Sequence, residues 1–376
     1  MVRFSFTGKL EAKTDISSNG YFYRHGKTKD TKKDGKIVPG KDYSSVNFQV
    51  VQEKNNRAFV EMFGMKSSTI KTMDTDFKAI EIDWDERDDE DVKKSVANVK
   101  KNTIKIDDDR NDFIASYDAV EYIKDHINEL NGKIVTITGQ RSKNVYNGKI
   151  SNRFQLSNIY TVDDEDSPKK LQVTMELFFN KESIDTADWA DEKKLYINGY
   201  TEEYISDVKE NRYVPQQIVF DCSKIDFKNE KHVKAVSFRL KMFGCELNGD
   251  KIVCKLKGKN MFQMGLITNY VNGSEKVEFT EDMLTPVQKE ALELGLKTLD
   301  DFRPAGSVYG ERVITYKLRD FDMRAEGKYA EGYIDTEIAT DEFEEKIFSS
   351  EEPEKASEVL EAENDSNEED EDDLFG

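Results

Sequence analysis

Strict alternation of apolar and polar side chains is the commonest pattern in the first 340 residues. It recurs in Phe4-Ser5-Phe6-Thr7 and Val46-Asn47-Phe48-Gln49-Val50. It recurs again in Phe59-Val60-Glu61-Met62-Phe63, Ile134-Val135-Thr136-Ile137-Thr138 and Phe154-Gln155-Leu156-Ser157-Asn158-Ile159-Tyr160. A period of two is that of half-buried strands, so the body is expected to be mainly β. Asn147-Gly148, Asn248-Gly249-Asp250 and Asn272-Gly273 read as hairpin turns.

Two stretches carry helical spacing instead. From Asp118 to Leu130, Val120, Ile123, Ile127 and Leu130 share one face, and Asn131-Gly132 supplies the stop. The second begins at Thr285-Pro286-Val287-Gln288, where Thr285 caps, Pro286 takes the first helical position and Gln288 completes a capping box. Strands precede each helix. Closing strands follow each, at Lys133–Tyr160 and Val308–Met323. This order predicts two tandem oligonucleotide-binding (OB)-like barrels, mainly β with two or more helices. The domains are placed at 1–162 and 169–340, with an acidic linker at 163–168 and an acidic disordered tail at 341–376. Met62-Phe63-Gly64 and Met242-Phe243-Gly244 suggest a diverged duplication, each tripeptide ending a strand. The excursion 83–112 reads as exposed and acidic around a short strand at Thr103–Ile106.

Charge changes this picture. The net charge is −20, but residues 341–376 hold 17 acidic and 2 basic side chains. Residues 1–160 hold 28 basic and 25 acidic ones, so the N-terminal half is slightly positive. An acidic average is therefore compatible with an anionic partner. Cys222, Cys245 and Cys254 form no disulfide framework, which fits a reducing cytoplasm. No apolar stretch has membrane-spanning length, and no leader precedes the first strand, so a soluble cytoplasmic protein is expected.

Catalytic patterns are missing from the sequence. No phosphate loop or nucleophile elbow occurs, and His25, His126 and His232 stand alone without zinc-ligand spacing. A non-enzymatic protein without cofactor or metal is expected. Three basic–aromatic clusters stand out instead. Tyr21, Tyr23, Arg24, Lys27, Lys29, Lys32, Lys33 and Lys36 lie in the segment read as the first inter-strand loop. Arg141, Lys143, Tyr146, Lys149 and Arg153 lie in the last hairpin of the same barrel. Arg239 and Lys241 lie in Phe238–Phe243, read as a strand with one basic face. Cations there would follow phosphates, and aromatic rings would accept unpaired bases. Tyr21, Tyr23 and Tyr146 read either as stacking platforms or as plain surface. Phe48, Phe59, Phe63 and Phe238, at alternate strand positions, read as core.

The chain ends Asn367-Glu368-Glu369-Asp370-Glu371-Asp372-Asp373-Leu374-Phe375-Gly376. With OB-like barrels before it, this resembles the bacteriophage-type single-stranded DNA-binding proteins. In that family a flexible acidic C-terminus ends in an aromatic residue; here Gly376 follows Phe375. The resemblance implies sequence-tolerant binding of single-stranded DNA in replication or recombination. It also implies a tail that competes with DNA and docks on replication proteins such as a polymerase, helicase or primase. Asp372, Asp373, Leu374 and Phe375 would carry both roles. The competing expectation is a virion or assembly-associated structural β protein that binds no nucleic acid.

Overall fold

Ten long strands carry the body, and their pairing divides them into two rings of five. The computed structural model describes residues 2–14, 22–33, 36–53, 55–146, 149–162, 167–205, 210–257, 260–273, 276–277, 279–304, 308–309, 313–322, 334–336, 338 and 340–348. The first ring uses β1 (Val2–Glu11), β2 (Asp42–Glu53), β3 (Asn56–Met65), β4 (Ile134–Tyr146) and β5 (Lys149–Thr161). β1 pairs antiparallel with β2 and with β4, β2 with β3, and β4 with β5. A short parallel rung, Phe154 beside Val60, closes the circle between β5 and β3.

The second ring repeats that order. β6 (Lys170–Phe179), β7 (Lys194–Ile205), β8 (Glu210–Asp221), β9 (Phe262–Gly273) and β10 (Val313–Phe321) close through a parallel rung between Val219 and Lys317. Even the irregularities match. The β4–β5 ladder shifts register between Thr138 and Gly139, and the β9–β10 ladder between Ile267 and Thr268. The rings are joined edge to edge: β1 pairs antiparallel with β6 from Arg3–Thr174 to Thr7–Lys170. One mixed sheet of 15 strands therefore runs through both rings and across the segment read as a linker.

Alternation explains the interiors. Ala58, Val60 and Met62 of β3 point inward, as do Val46, Phe48 and Val50 of β2. In the second ring Leu195, Ile197, Ile218 and Phe220 do the same. A helix plugs each ring between its third and fourth strands. α1 (Ser116–Asp125) buries Ala119, Val120 and Ile123. The periodic stretch does not run unbroken to Leu130. It breaks at His126 and resumes as one turn, Ile127–Leu130, which buries Ile127 and Leu130.

The matching helix of the second ring is α2 (Glu230–Met242), capped by the Asn229 side chain, which accepts from the Lys231 N–H at 3.0 Å. This corrects the strand expected at Phe238–Phe243. Val236, Leu240 and Phe243 are the buried positions, and their spacing of three to four follows a helix. The two Met-Phe-Gly tripeptides therefore do not correspond. Met62-Phe63-Gly64 does end a strand, which stops at Met65, whereas Phe243 closes a helix that Gly244 ends at φ +65°. The helix expected at Thr285 does form, as α3 (Pro286–Glu293), with its capping box. It lies in the connection between β9 and β10, outside the second ring's core. Asn248-Gly249 makes the expected turn, with Gly249 at φ +59°. Asn272-Gly273 stays in the β9–β10 ladder instead, because the Asn272 N–H donates to Asn56 Oδ1 at 2.9 Å across the rings. Asn147-Gly148 lies outside the described residues.

Structure continues past the boundary placed at 341. α4 (Thr340–Glu345) and residues 346–348 lie on the second ring. Phe343 is 2% exposed and stacks on Tyr213 at 4.0 Å. The Tyr213 N–H donates to the Lys346 carbonyl, and the Phe348 N–H to the Tyr213 carbonyl, both at 2.9 Å.

Candidate nucleic-acid interface

The outer side of β2 and β3 leaves large apolar side chains exposed. Opposite Ala58, Val60 and Met62, the same strand presents Phe59, Phe63 and Met65, which are 56%, 39% and 45% exposed. Tyr43 of β2 lies beside Phe63, with ring centres 5.5 Å apart and planes within 27°. The Tyr43 ring rests on Gly26, where a Cβ would come within about 3.1 Å of it. Phe48 is buried as expected. For Phe59 and Phe63 the core expectation is overturned, because a strand with apolar residues at successive positions cannot bury both faces against one core.

These rings line a depression of about 380 Å³. Asn47 and Gln49 form part of its floor, and Lys13, Arg24, Glu61 and Arg153 edge it. The Arg153 guanidinium pairs with Glu61 across the parallel rung. Arg57, beside the depression, donates to Gln49 Oε1 at 3.1 Å. Flat aromatic faces flanked by amides and guanidinium groups can stack planar heterocycles and hold anions beside them.

The residues expected to bind divide by location. Arg24 and Arg153 lie at the depression. Lys27 and Lys29 are exposed on the excursion that leads into β2. Tyr23 is tied down: its hydroxyl donates to Glu121 Oε1 of α1 at 2.7 Å, and burial with this bond raises its pKa. Lys32, Lys33 and Lys36 belong to a small hairpin whose backbone alone is described. The backbones of Tyr146 and Lys149 lie in β4 and β5. Tyr21 and the four tail residues Asp372, Asp373, Leu374 and Phe375 lie outside the described residues. Arg239 is half-buried and Lys241 exposed on α2.

Arg141 and Lys143 point away from solvent, into the seam between the rings. Arg141 is 4% exposed and pairs with Glu203 of β7. It also donates to Gln216 Oε1 of β8 at 2.9 Å and stacks over Tyr316 of β10 at 5.1 Å. A cluster of basic residues in sequence is therefore split by strand alternation into a structural cation, Arg141, and a rim cation, Arg153.

No family model matches this chain. A search of curated proteins also finds no match. Among solved structures, the wild-type single-stranded DNA binding protein from Thermus aquaticus is similar at 9% identity and a TM-score of 0.27, over 72% of this chain and 85% of that one. A deletion mutant of the same protein is similar at 8% identity and a TM-score of 0.25, over 72% and 87%. Likeness at this level lends no weight to fold or function, which rest on the geometry described above.

Proposed function

We propose that the chain binds single-stranded DNA, with little regard to sequence, through the outer face of β2 and β3. The observation that carries this reading is the exposed pair Phe59 and Phe63 with half-buried Tyr43 beside them, in a depression that Lys13, Arg24 and Arg153 also line. Five strands paired in the order first, second, third, fifth, fourth, with a helix before the fourth, are what an OB barrel requires. Each ring is accordingly read as one barrel, in domains 1–162 and 169–340. In such barrels the second and third strands form the face that takes oligonucleotides. A stacked base contributes roughly 1–3 kcal/mol, and the cations release counterions from the backbone.

The finer parts of the reading belong to the same proposal. The protein serves phage-type replication or recombination in the cytoplasm, and acts by coating strands rather than by catalysis. Residues 349–376 compete for the cationic rim, held close by their own attachment. Asp372, Asp373, Leu374 and Phe375 engage a replication protein. A fluorescence titration of oligo-dT against the full chain and against a chain lacking residues 349–376 tests this. The expected result is binding that weakens steeply with salt, and tighter binding at low salt without the tail. Absence of binding by both chains at low salt would remove the proposal.

A further inference from the structure

Where the rings meet they leave a cleft of about 430 Å³. Its walls come in matched pairs. Lys143 and Asn272 stand equally far beyond the two register shifts, and Phe154 and Tyr316 hold equivalent places on the closing strands. Phe59 and Gln217 occupy the same rung of β3 and β8, counted from the parallel pairings. The cleft therefore lies on the local two-fold relation between the rings. Its two halves differ in chemistry: the first ring brings an amine and a phenyl ring where the second brings two carboxamides.

No carboxylate lines the cleft among the described residues. The Lys143 side chain is about nine-tenths buried, and no described carboxylate pairs with its amine, since Glu203 is taken by Arg141. Asn152 Oδ1 and the Tyr316 hydroxyl are both buried at the cleft with no hydrogen bond of good geometry among the described residues, and the Asn152 carboxamide lies beside that hydroxyl. A desolvated amine calls for an anion, and an orphaned carbonyl oxygen calls for an N–H donor. Phe59 is shared between this cleft and the depression on β2 and β3. A strand stacked on Phe63 thus reaches the cleft without leaving the protein surface.

We propose that the cleft seats one nucleotide of the bound strand, with its phosphate at the Lys143 amine, its base against Phe59 and a base N–H donated to Asn152 Oδ1. This rests on the reading of the chain as a single-stranded DNA-binding protein. Every base offers such an N–H, so the site is tolerant of sequence. Proton linkage follows from the surroundings of Lys143. Burial and the charge of Arg141 on its own strand lower its pKa to about 7, against a partial offset from Glu203 on β7. Tyr270 on β9 and Tyr316 on β10 are the other titratable side chains lining the cleft among the described residues. A phosphate favours the charged amine, so binding takes up a proton, and affinity falls as pH rises through and above 7.

Oligo-dT binding by the full chain, by Lys143→Met and by Lys143→Arg tests the site across salt and between pH 6 and 8.5. Lys143→Met should bind roughly tenfold more weakly at pH 6, with the magnitude of its salt slope smaller by about 0.7. Lys143→Arg should bind as the wild type does at pH 6 but lose the pH dependence, since its charge persists. Wild-type binding with an unchanged salt slope and pH profile in both variants would overturn the cleft while leaving the β2–β3 face standing. Loss of binding by the wild type itself would instead remove the parent reading. A free mononucleotide shares this chemistry. Weak dTMP binding beside tight oligo-dT binding assigns the cleft to the strand, and dTMP binding as tight as the oligomer's overturns that assignment.

Discussion

The two rings share a strand order and differ in the face proposed to take DNA. At the rungs where the first ring shows Phe59 and Phe63, the second places Gln217 and Asp221. Asp221 is held by Lys317 at 3.0 Å. Of the aromatics on the second ring's outer face, Tyr200 and Tyr213 are covered by Phe343, while Tyr204 near the β7–β8 hairpin stays exposed. One topology thus supports an open aromatic face and a face partly covered by the chain's own downstream segment. The difference teaches that strand order builds the platform, while two side chains and one covering segment decide whether it is available.

Breaking the seam between the rings should have the largest effect. Glu203→Ala leaves Arg141 buried and unpaired and should destabilise the protein by about 3–5 kcal/mol. Urea unfolding measures this, and Arg141→Met with Glu203→Leu should recover most of the loss. Removing the cover comes next. Phe343→Ala vacates a fully buried site and should lower stability by about 3 kcal/mol, with hydrogen exchange rising first at the Tyr213 and Phe348 amides. The smallest effect sharpens the comparison directly. Phe63→Ala should weaken single-stranded DNA binding by about 1–3 kcal/mol, while Asp221→Ala at the matching rung should change it by less than about 0.5 kcal/mol. Equal losses at both rungs would mean that the faces are functionally alike.

Local rules in the sequence reached most of the elements. The capping box at Thr285 and Gln288 and the apolar face of α1 could be read directly, because caps and periodicity are properties of neighbouring residues. The fate of Phe238–Phe243 could not. Its six residues alternate well enough for a strand, and only the longer spacing through Val236, Leu240 and Phe243 identifies α2. The exposure of Phe59 and Phe63 escapes local rules for a related reason. Phe59 and Phe63 look like core when read one at a time. Their exposure follows only once Ala58, Val60 and Met62 are seen to fill the inner side of the same strand. The role of Arg141 depends on Glu203, more than sixty residues away and in the other ring, a pairing no local pattern contains.

The joint between β1 and β6 also bears on how the protein comes into being. β1 is made early and meets β2 only over Lys9–Glu11, while its longer partners are β4, completed at Tyr146, and β6, completed at Phe179. During synthesis the Arg3–Thr7 stretch of β1 lacks its β6 partner until nearly half the chain has emerged. Pairings so distant are slow to form, and an open apolar edge invites pairing with other nascent chains. The first ring is therefore the part of this molecule whose assembly most depends on protection while translation is under way.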